Sequence, residues 1–327
     1  MTELKLKQSE RISRRTFCRS AVAGIAALHL GQTFAQASQN NRIKFYKNFS
    51  GGHIGVRANQ QQALEIAVKY GFESIAPNTG EFEKKSAAEI REWVATMKAK
   101  GIRYGTGGLS VQYRRDEDRF KTDLARLPQQ AKIMKQLGVT RVATWITPGH
   151  GELTYLQNFK LHESRFREIA KVLKDSGIRL GLEFVGPRTS RMRSRFAFIC
   201  TQHEAMELAE AIGTGNVGLL MDCWHWYTSH GTVDELLQLS NKDIVHVHVN
   251  DAPPDIPVDE QRDNRRRLPT TTGVIDLKGF INALVKIGYD GPVECEPFDQ
   301  ELRKMPDNEK LAKTIESLNR LWNLIEA

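Results

Sequence analysis

Four short apolar stretches end in side chains that can hold a cation or move a proton. Ile178-Arg-Leu-Gly-Leu-Glu183 and Val217-Gly-Leu-Leu-Met-Asp222 end in carboxylates, Ile244-Val-His-Val-His248 in an imidazole and Pro292-Val-Glu-Cys-Glu296 in a third carboxylate. Apolar runs this short suit strands buried on both faces better than helices. Helix capping by Asp222 and core packing by His225 would explain one such end, but not four. Two Glu, one Asp and one His, with no thiolate, form an oxygen-rich ligand set for one divalent ion, Mn²⁺, Co²⁺, Mg²⁺ or Zn²⁺. An ion there is a Lewis acid for a carbonyl and its neighbouring hydroxyl, and a carboxylate beside it can serve as base. That is the chemistry of removing a proton α to a carbonyl to leave an enediolate. Glu183 and Glu296 are the expected proton carriers, one on each side of the substrate.

Each of the last two strands carries a second candidate, His246 and Glu294, two residues before its end. Residues two apart share a strand face, so both members of each pair can point into one interior. His248 and Glu296 are expected as ligands because they lie nearer the strand ends. His246 is either a substrate contact or a polar member of the interior. Trp145, Trp224, Trp226 and Tyr227 offer apolar faces on which a sugar could lie, or else they fill the mouth of the fold; Trp145 and Trp224 are the candidate substrate contacts. Arg262, Arg265, Arg266 and Arg267 cluster in a charged loop, and Arg267 is a further candidate.

The elements that carry these side chains alternate regularly. Strands are expected at 42–48, 72–76, 102–104, 139–145, 178–183, 217–222, 244–248 and 292–296. Helices are expected at 59–70, 87–100, 120–137, 162–176, 202–212, 233–239, 277–287 and 308–325, several ending at glycines such as Gly101, Gly138 and Gly177. Eight βα units imply a parallel sheet with helical crossovers and, at this length, a closed (β/α)8 TIM barrel of class α/β. An open doubly wound sheet is the alternative, and no glycine-rich dinucleotide fingerprint follows the first strand. Active sites of such barrels lie at the C-terminal ends of the strands, where the four side chains stand. The long proline-bearing loop 252–272 has the character of a functional lid.

The net charge of the 327 residues is +8, and residues 1–37 carry six Lys/Arg against two Asp/Glu. The mild excess in the remainder gives little reason to expect a nucleic-acid partner. Four cysteines without a CxxC make no disulfide framework. Ser13-Arg-Arg-Thr-Phe17 resembles the twin-arginine consensus; the weakly apolar Ala21–Leu28 and the small-residue site Ala35-Gln-Ala37 follow. Residues 1–37 are therefore expected to be an export signal read by the twin-arginine machinery, with 38–327 as the barrel and a periplasmic or otherwise exported location. The apolar stretch is too short to span a bilayer stably.

Gly181-Leu-Glu183, Asp222-Cys-Trp-His225, His246-Val-His-Val-Asn-Asp251, Gly273-Val-Ile-Asp276 and Gly288-Tyr-Asp-Gly291 through Glu296-Pro-Phe298 resemble the xylose-isomerase-like barrel superfamily of sugar isomerases, epimerases and type-IV endonucleases. The resemblance covers residues 42–327 and is more specific in the second half. It implies one divalent ion held by Glu183, Asp222, His248 and Glu296, with His225 contacting substrate. The endonuclease branch needs further histidines; Ser74-Ile-Ala-Pro-Asn78 and Arg103-Tyr-Gly-Thr-Gly107 have none. The family's substrate-binding arginine, six residues beyond the metal histidine, is Pro254 here. The resemblance implies a metal-dependent isomerase or epimerase of a sugar or keto-sugar. A lyase or dehydratase of a keto-sugar or keto-glycoside is the alternative, and a non-catalytic sugar-binding barrel or a nuclease are lesser ones. A homo-oligomer is compatible with all of these.

Overall fold

The computed structural model describes residues 43–326. The export signal read at 1–37 lies outside the described residues. Nine parallel strands form one sheet: β1 (Tyr46–Phe49), β2 (Ser74–Ile75), β3 (Arg103–Tyr104), β4 (Gly107–Gly108), β5 (Arg141–Trp145), β6 (Arg179–Glu183), β7 (Val217–Asp222), β8 (Ile244–Val249) and β9 (Pro292–Cys295). Their order is β3-β2-β1-β9-β8-β7-β6-β5-β4. The two outermost strands are consecutive in the chain, so one extended segment joins the two edges and the sheet closes as a barrel.

The ninth strand is the expected third strand divided. Tyr104 pairs with Ile75 on one side, and Gly107 pairs with Val142 on the other. Between them Gly105 donates its N–H to the Ile75 carbonyl at 2.9 Å. A Cβ on Gly105 would collide with the Asn48 side chain, so the break makes room for a polar group inside the barrel. The first strand also starts later than expected, at Tyr46 rather than residue 42.

The main helices are α1 (Gln60–Tyr70), α2 (Ala87–Ala99), α3 (Glu117–Leu137), α4 (Tyr155–Asp175), α5 (Gln202–Ile212), α6 (Cys223–Thr228), α7 (Leu277–Ile287) and α8 (Asp307–Trp322). Capping boxes at Asn59, Ser86, Thr154 and Thr201 start four of them. Gly71, Gly138, Gly213 and Gly288, all left-handed, stop four. Thr154 opens α4 seven residues before its expected start. The helix expected at 233–239 is one turn, Val233–Leu236, because Ser240 turns the chain by donating its N–H to the Asp243 carboxylate at 2.8 Å. No described helix is long and apolar enough to cross a membrane.

Leu180, Leu182, Leu219, Met221, Val245, Val247 and Val293 are all buried. Strands covered on both faces give near-continuous apolar runs, so the polar end of each run stands out. Between β7 and β8 the packing is close enough that a Cβ on Gly218 would meet the Asp243 carbonyl oxygen. Gly218→Ala should therefore destabilise the barrel by about 1–3 kcal/mol. Gly151→Ala, where a Cβ meets nothing within 4 Å, should stay within about 0.5 kcal/mol of the parent. Urea unfolding of both variants checks this; equal midpoints would contradict the packing.

Candidate metal centre and active site

Glu183 and Asp222 end their strands, His248 is the penultimate residue of β8, and Glu296 follows β9 directly. The register places His248 beside Asp222 on one side and Glu294 on the other. Glu296 extends the β8–β9 ladder through its N–H to the Val249 carbonyl, 3.2 Å away. All four side chains are buried, and one donor atom from each lies within 4.8 Å of the others. His248 Nδ1 is 3.5 Å from Glu183 Oε1, 3.8 Å from Asp222 Oδ2 and 3.4 Å from Glu296 Oε2. Donors at such spacings can share one ion at bond lengths of about 2.0–2.2 Å. Glu183 Oε1 and His248 Nδ1 are buried with no hydrogen-bond partner. Unsatisfied donor-type atoms converging on one point fit a divalent ion.

Beneath this layer lies a second, set by the two-residue period of β8 and β9. His246 Nε2 is 3.5 Å from Glu294 Oε2, which also accepts from Asn48 Nδ2 at 2.5 Å. Asn48 in turn accepts from Ser74 Oγ at 2.7 Å. Burial pushes the His246 imidazole down to about 4, which keeps it neutral near pH 7. His246 thus lies one layer below His248, where it lines a second cavity of about 230 Å³ with His53, His248 and Glu294.

Two residues that the sequence did not single out complete the site. His53 follows β1 in a one-turn helix, Gly51–Ile54, where a loop was expected. Its Nδ1 is 2.5 Å from Glu294 Oε1 and its Nε2 is 3.3 Å from Glu296 Oε1, so it ties the two layers together. Arg266, from the loop 252–272, is 1% exposed. Its Nη1 donates to Asp222 Oδ2 and Glu296 Oε2, each at 2.6 Å. Its Nη2 donates to Asp263 Oδ1 at 2.7 Å and faces His225 Nε2 at 3.2 Å, while Nε donates to the Asp263 carbonyl at 3.1 Å. Four of its five N–H groups thereby donate to protein oxygens, and the fifth faces His225.

Arg266 is delivered by a pinned loop. The Asp251 carboxylate accepts N–H groups from Ala252, Thr272, Gly273, Val274 and Ile275, and Asp251 and Arg267 exchange backbone hydrogen bonds of 2.8 Å. That pairing turns the Arg267 side chain back onto its own loop, where Nη1 donates to the Arg266 carbonyl at 3.1 Å. The arginine brought into the site is Arg266, not Arg267.

Burial pushes the Glu183 carboxyl above its ordinary range. Burial acts the same way on Asp222 and Glu296, but it is overridden. Arg266 holds Asp222 well below the carboxylate range, and His248 and Arg266 lower Glu296.

The ligand set opens into a pocket of about 360 Å³. Glu183, Glu296, His225 and Arg266 form its floor, and Trp145, Arg193 and Phe298 are among its walls. Trp145 is 47% exposed. The Arg114 guanidinium lies 4.0 Å over the Trp145 ring, and Arg114 and Tyr113 both donate to its carbonyl, which fixes the indole as a platform. Trp224 does not reach the pocket. It is fully buried in the first turn of α6, with its N–H donated to Asp222 Oδ1 at 2.8 Å and Arg266 5.5 Å over its ring.

Known proteins resemble this chain over most of its length. The chain is 30% identical to an inosose isomerase of Halalkalibacterium halodurans over 82% of its own length and 94% of the relative's. A xylose isomerase domain protein from Alicyclobacillus acidocaldarius superposes with a TM-score of 0.73 at 28% identity, covering 83% of this chain and 96% of that one. The IOLI protein, whose structure carries a zinc atom, shares the fold with a TM-score of 0.72 at 21% identity, over 86% of this chain and 100% of the other. The profile of one family matches residues 64–321, nearly the whole barrel, and the chain belongs to that family, the xylose isomerase-like TIM barrels.

Proposed function

We propose that this protein is a divalent-metal-dependent isomerase or epimerase of a sugar or keto-sugar. The observation that carries the reading is the convergence of Glu183, Asp222, His248 and Glu296 on one buried point at the floor of a pocket. Its similarity to an inosose isomerase over most of both chains supports the same class. A bound divalent ion would supply Lewis-acid stabilisation of the negative charge that develops on the substrate oxygens.

The chain's own residues do the rest. Glu183 turns Oε1 to the ligand set, and its other carboxylate oxygen is left to take the α-proton. Glu296 stands across the ligand set, with one oxygen on Arg266 and the other facing His53. His225 lines the floor within 3.8 Å of Glu183 and is a substrate contact. Trp145 gives the sugar an apolar face. Arg266 orients Asp222 and Glu296 and offsets part of their charge. A lyase would share the proton abstraction and then expel a β-oxygen substituent.

Asp222→Ala and His248→Ala should each abolish stoichiometric uptake of Mn²⁺, Co²⁺, Mg²⁺ or Zn²⁺ with little change in circular dichroism. Elemental analysis after gel filtration decides, and parent-like metal content in both would refute the site. Glu183→Gln and Glu296→Gln, loaded with metal, should each lose about 10²–10⁴-fold in turnover, with a smaller change in substrate affinity. NMR in deuterated water, with candidate keto-sugars, reads both the rate and the entry of deuterium into a C–H bond. Near-parent rates in both variants would end the two-carboxylate mechanism, and loss of water from the substrate would identify a lyase.

We further propose that residues 1–37 direct export through the twin-arginine route, a reading supported by Ser13-Arg-Arg-Thr-Phe17 ahead of Ala35-Gln-Ala37. Replacing Arg14 and Arg15 by Lys should leave uncleaved protein in the cytoplasm. Fractionation and intact-mass measurement check this; unmutated protein that is full length and wholly cytoplasmic contradicts it.

A further inference from the structure

One wall of the pocket is cationic, and nothing so far explains it. The segment from Phe184 to His203 contains Arg188, Arg191, Arg193 and Arg195 and no acidic residue. It is built into the barrel mouth rather than hanging free. Phe196–Ala197 pairs antiparallel with Gly149–His150, and Phe198 donates its N–H to the Pro148 carbonyl at 2.9 Å. Thr189 Oγ1 donates to the Gln261 carbonyl at 2.7 Å and so joins the segment to the loop that carries Arg266. A Cβ on Gly149 would strike Ser194 and the Phe196 carbonyl, so glycine there lets Ser194 seat against the ribbon.

The arginines of this segment differ in what they do. Arg191 donates to the Gly186 carbonyl at 3.0 Å, and Arg195 stacks on Phe196 at 5.1 Å. Arg193 is exposed, its guanidinium has no hydrogen-bond or carboxylate partner among the described residues, and it lines the pocket together with Ser190 and Ser194. Arg266, the other arginine lining the pocket, is buried and gives four of its five N–H groups to protein oxygens. Arg193 therefore presents the pocket's uncommitted guanidinium, in a lining that also includes Ser190, Ser194, Glu183 and Glu296. A guanidinium with free donors recognises carboxylate or phosphate oxygens bidentately. Resting on the isomerase or epimerase reading, we propose that the substrate is anionic: a hydroxycarbonyl compound whose far end carries a carboxylate or phosphate, seated by Arg193 with Ser190 and Ser194.

Three probes separate the possibilities: D-fructose, D-fructuronate and D-fructose 6-phosphate, which carry a hydroxymethyl, a carboxylate and a phosphate ester at carbon six. Calorimetric titration of the metal-loaded full chain should show at least one anion binding about tenfold or more tightly than D-fructose, as a charge-assisted contact predicts. Added salt should weaken binding of the anion and leave that of D-fructose unchanged. Arg193→Gln should reduce the preference to within about threefold, and Arg195→Gln should retain it. Whichever anion is preferred identifies the terminal group. No preference in the parent protein, including failure of all three to bind, overturns the proposal, as does a preference that survives Arg193→Gln. Solvent-deuterium exchange on the same probes is scored separately. Exchange without anion preference removes this subsite alone, whereas preference without exchange removes the isomerase reading alone.

Discussion

Everything at the mouth of this barrel answers one constraint, the crowding of like charge. Glu183, Asp222, Glu294 and Glu296 are all buried within two adjacent layers around His246 and His248. Taking one carboxylate out of water costs several kcal/mol unless charge and hydrogen bonds compensate it. Two protein groups do so from opposite sides. His53 bridges Glu294 and Glu296, and Arg266 bridges Asp222 and Glu296. A divalent cation at the shared point would supply the remainder. The long loop is thus a structural part of the site, and the Asp251 carboxylate that gathers its two ends acts on the floor of the pocket through Arg266.

The fold and the floor were legible in the sequence for a common reason. Strands buried on both faces read as unbroken apolar runs, so a carboxylate or imidazole at the end of such a run is conspicuous. The two-residue period also sets His246 and Glu294 one layer below His248 and Glu296. What stayed hidden depends on contacts remote in the chain. The third strand breaks because the Asn48 side chain, from β1, needs the space beside Gly105. Arg266 and Arg267 are chemically identical neighbours, and only the backbone pairing of Arg267 with Asp251 decides which of them turns inward. His53 follows two glycines, a context that reads as a turn, although a histidine just past a strand end is the same kind of signal as the other four. The capping role weighed for Asp222 also holds, because α6 begins immediately after β7 with the Asp222 carboxylate accepting the Trp224 backbone N–H, and the indole is buried.

The division of labour between strands and loops separates chemistry from specificity. The ligand candidates sit at or next to strand ends, each tied to a neighbouring strand. The platform Trp145 also ends a strand, but Arg114 from a neighbouring loop sets its ring. The cationic wall and Arg266 come from two loops joined through Thr189 and Gln261. Loops tolerate changes of sequence that a barrel strand packed against Asp243, as at Gly218, does not. The strand-borne floor can therefore stay unchanged while the loops above it vary.

The two glutamates are not equivalent, and the difference bears on the reaction. Glu296 has both carboxylate oxygens engaged, one by Arg266 and one by His53, so its position is held from two sides. Glu183 has a buried oxygen with no hydrogen-bond partner, and burial favours its protonated form. A carboxyl so placed can carry a proton without breaking a network, whereas protonating Glu296 would weaken its contacts with Arg266. In an isomerase that works on one face of its substrate, the freer carboxyl would carry the proton and Glu296 would hold the ligand set in place. An epimerase that inverts a centre also needs proton exchange on the opposite face, where the tethered one stands. The contacts of His53 and Arg266 with Glu296 are accordingly where the two reaction types would diverge.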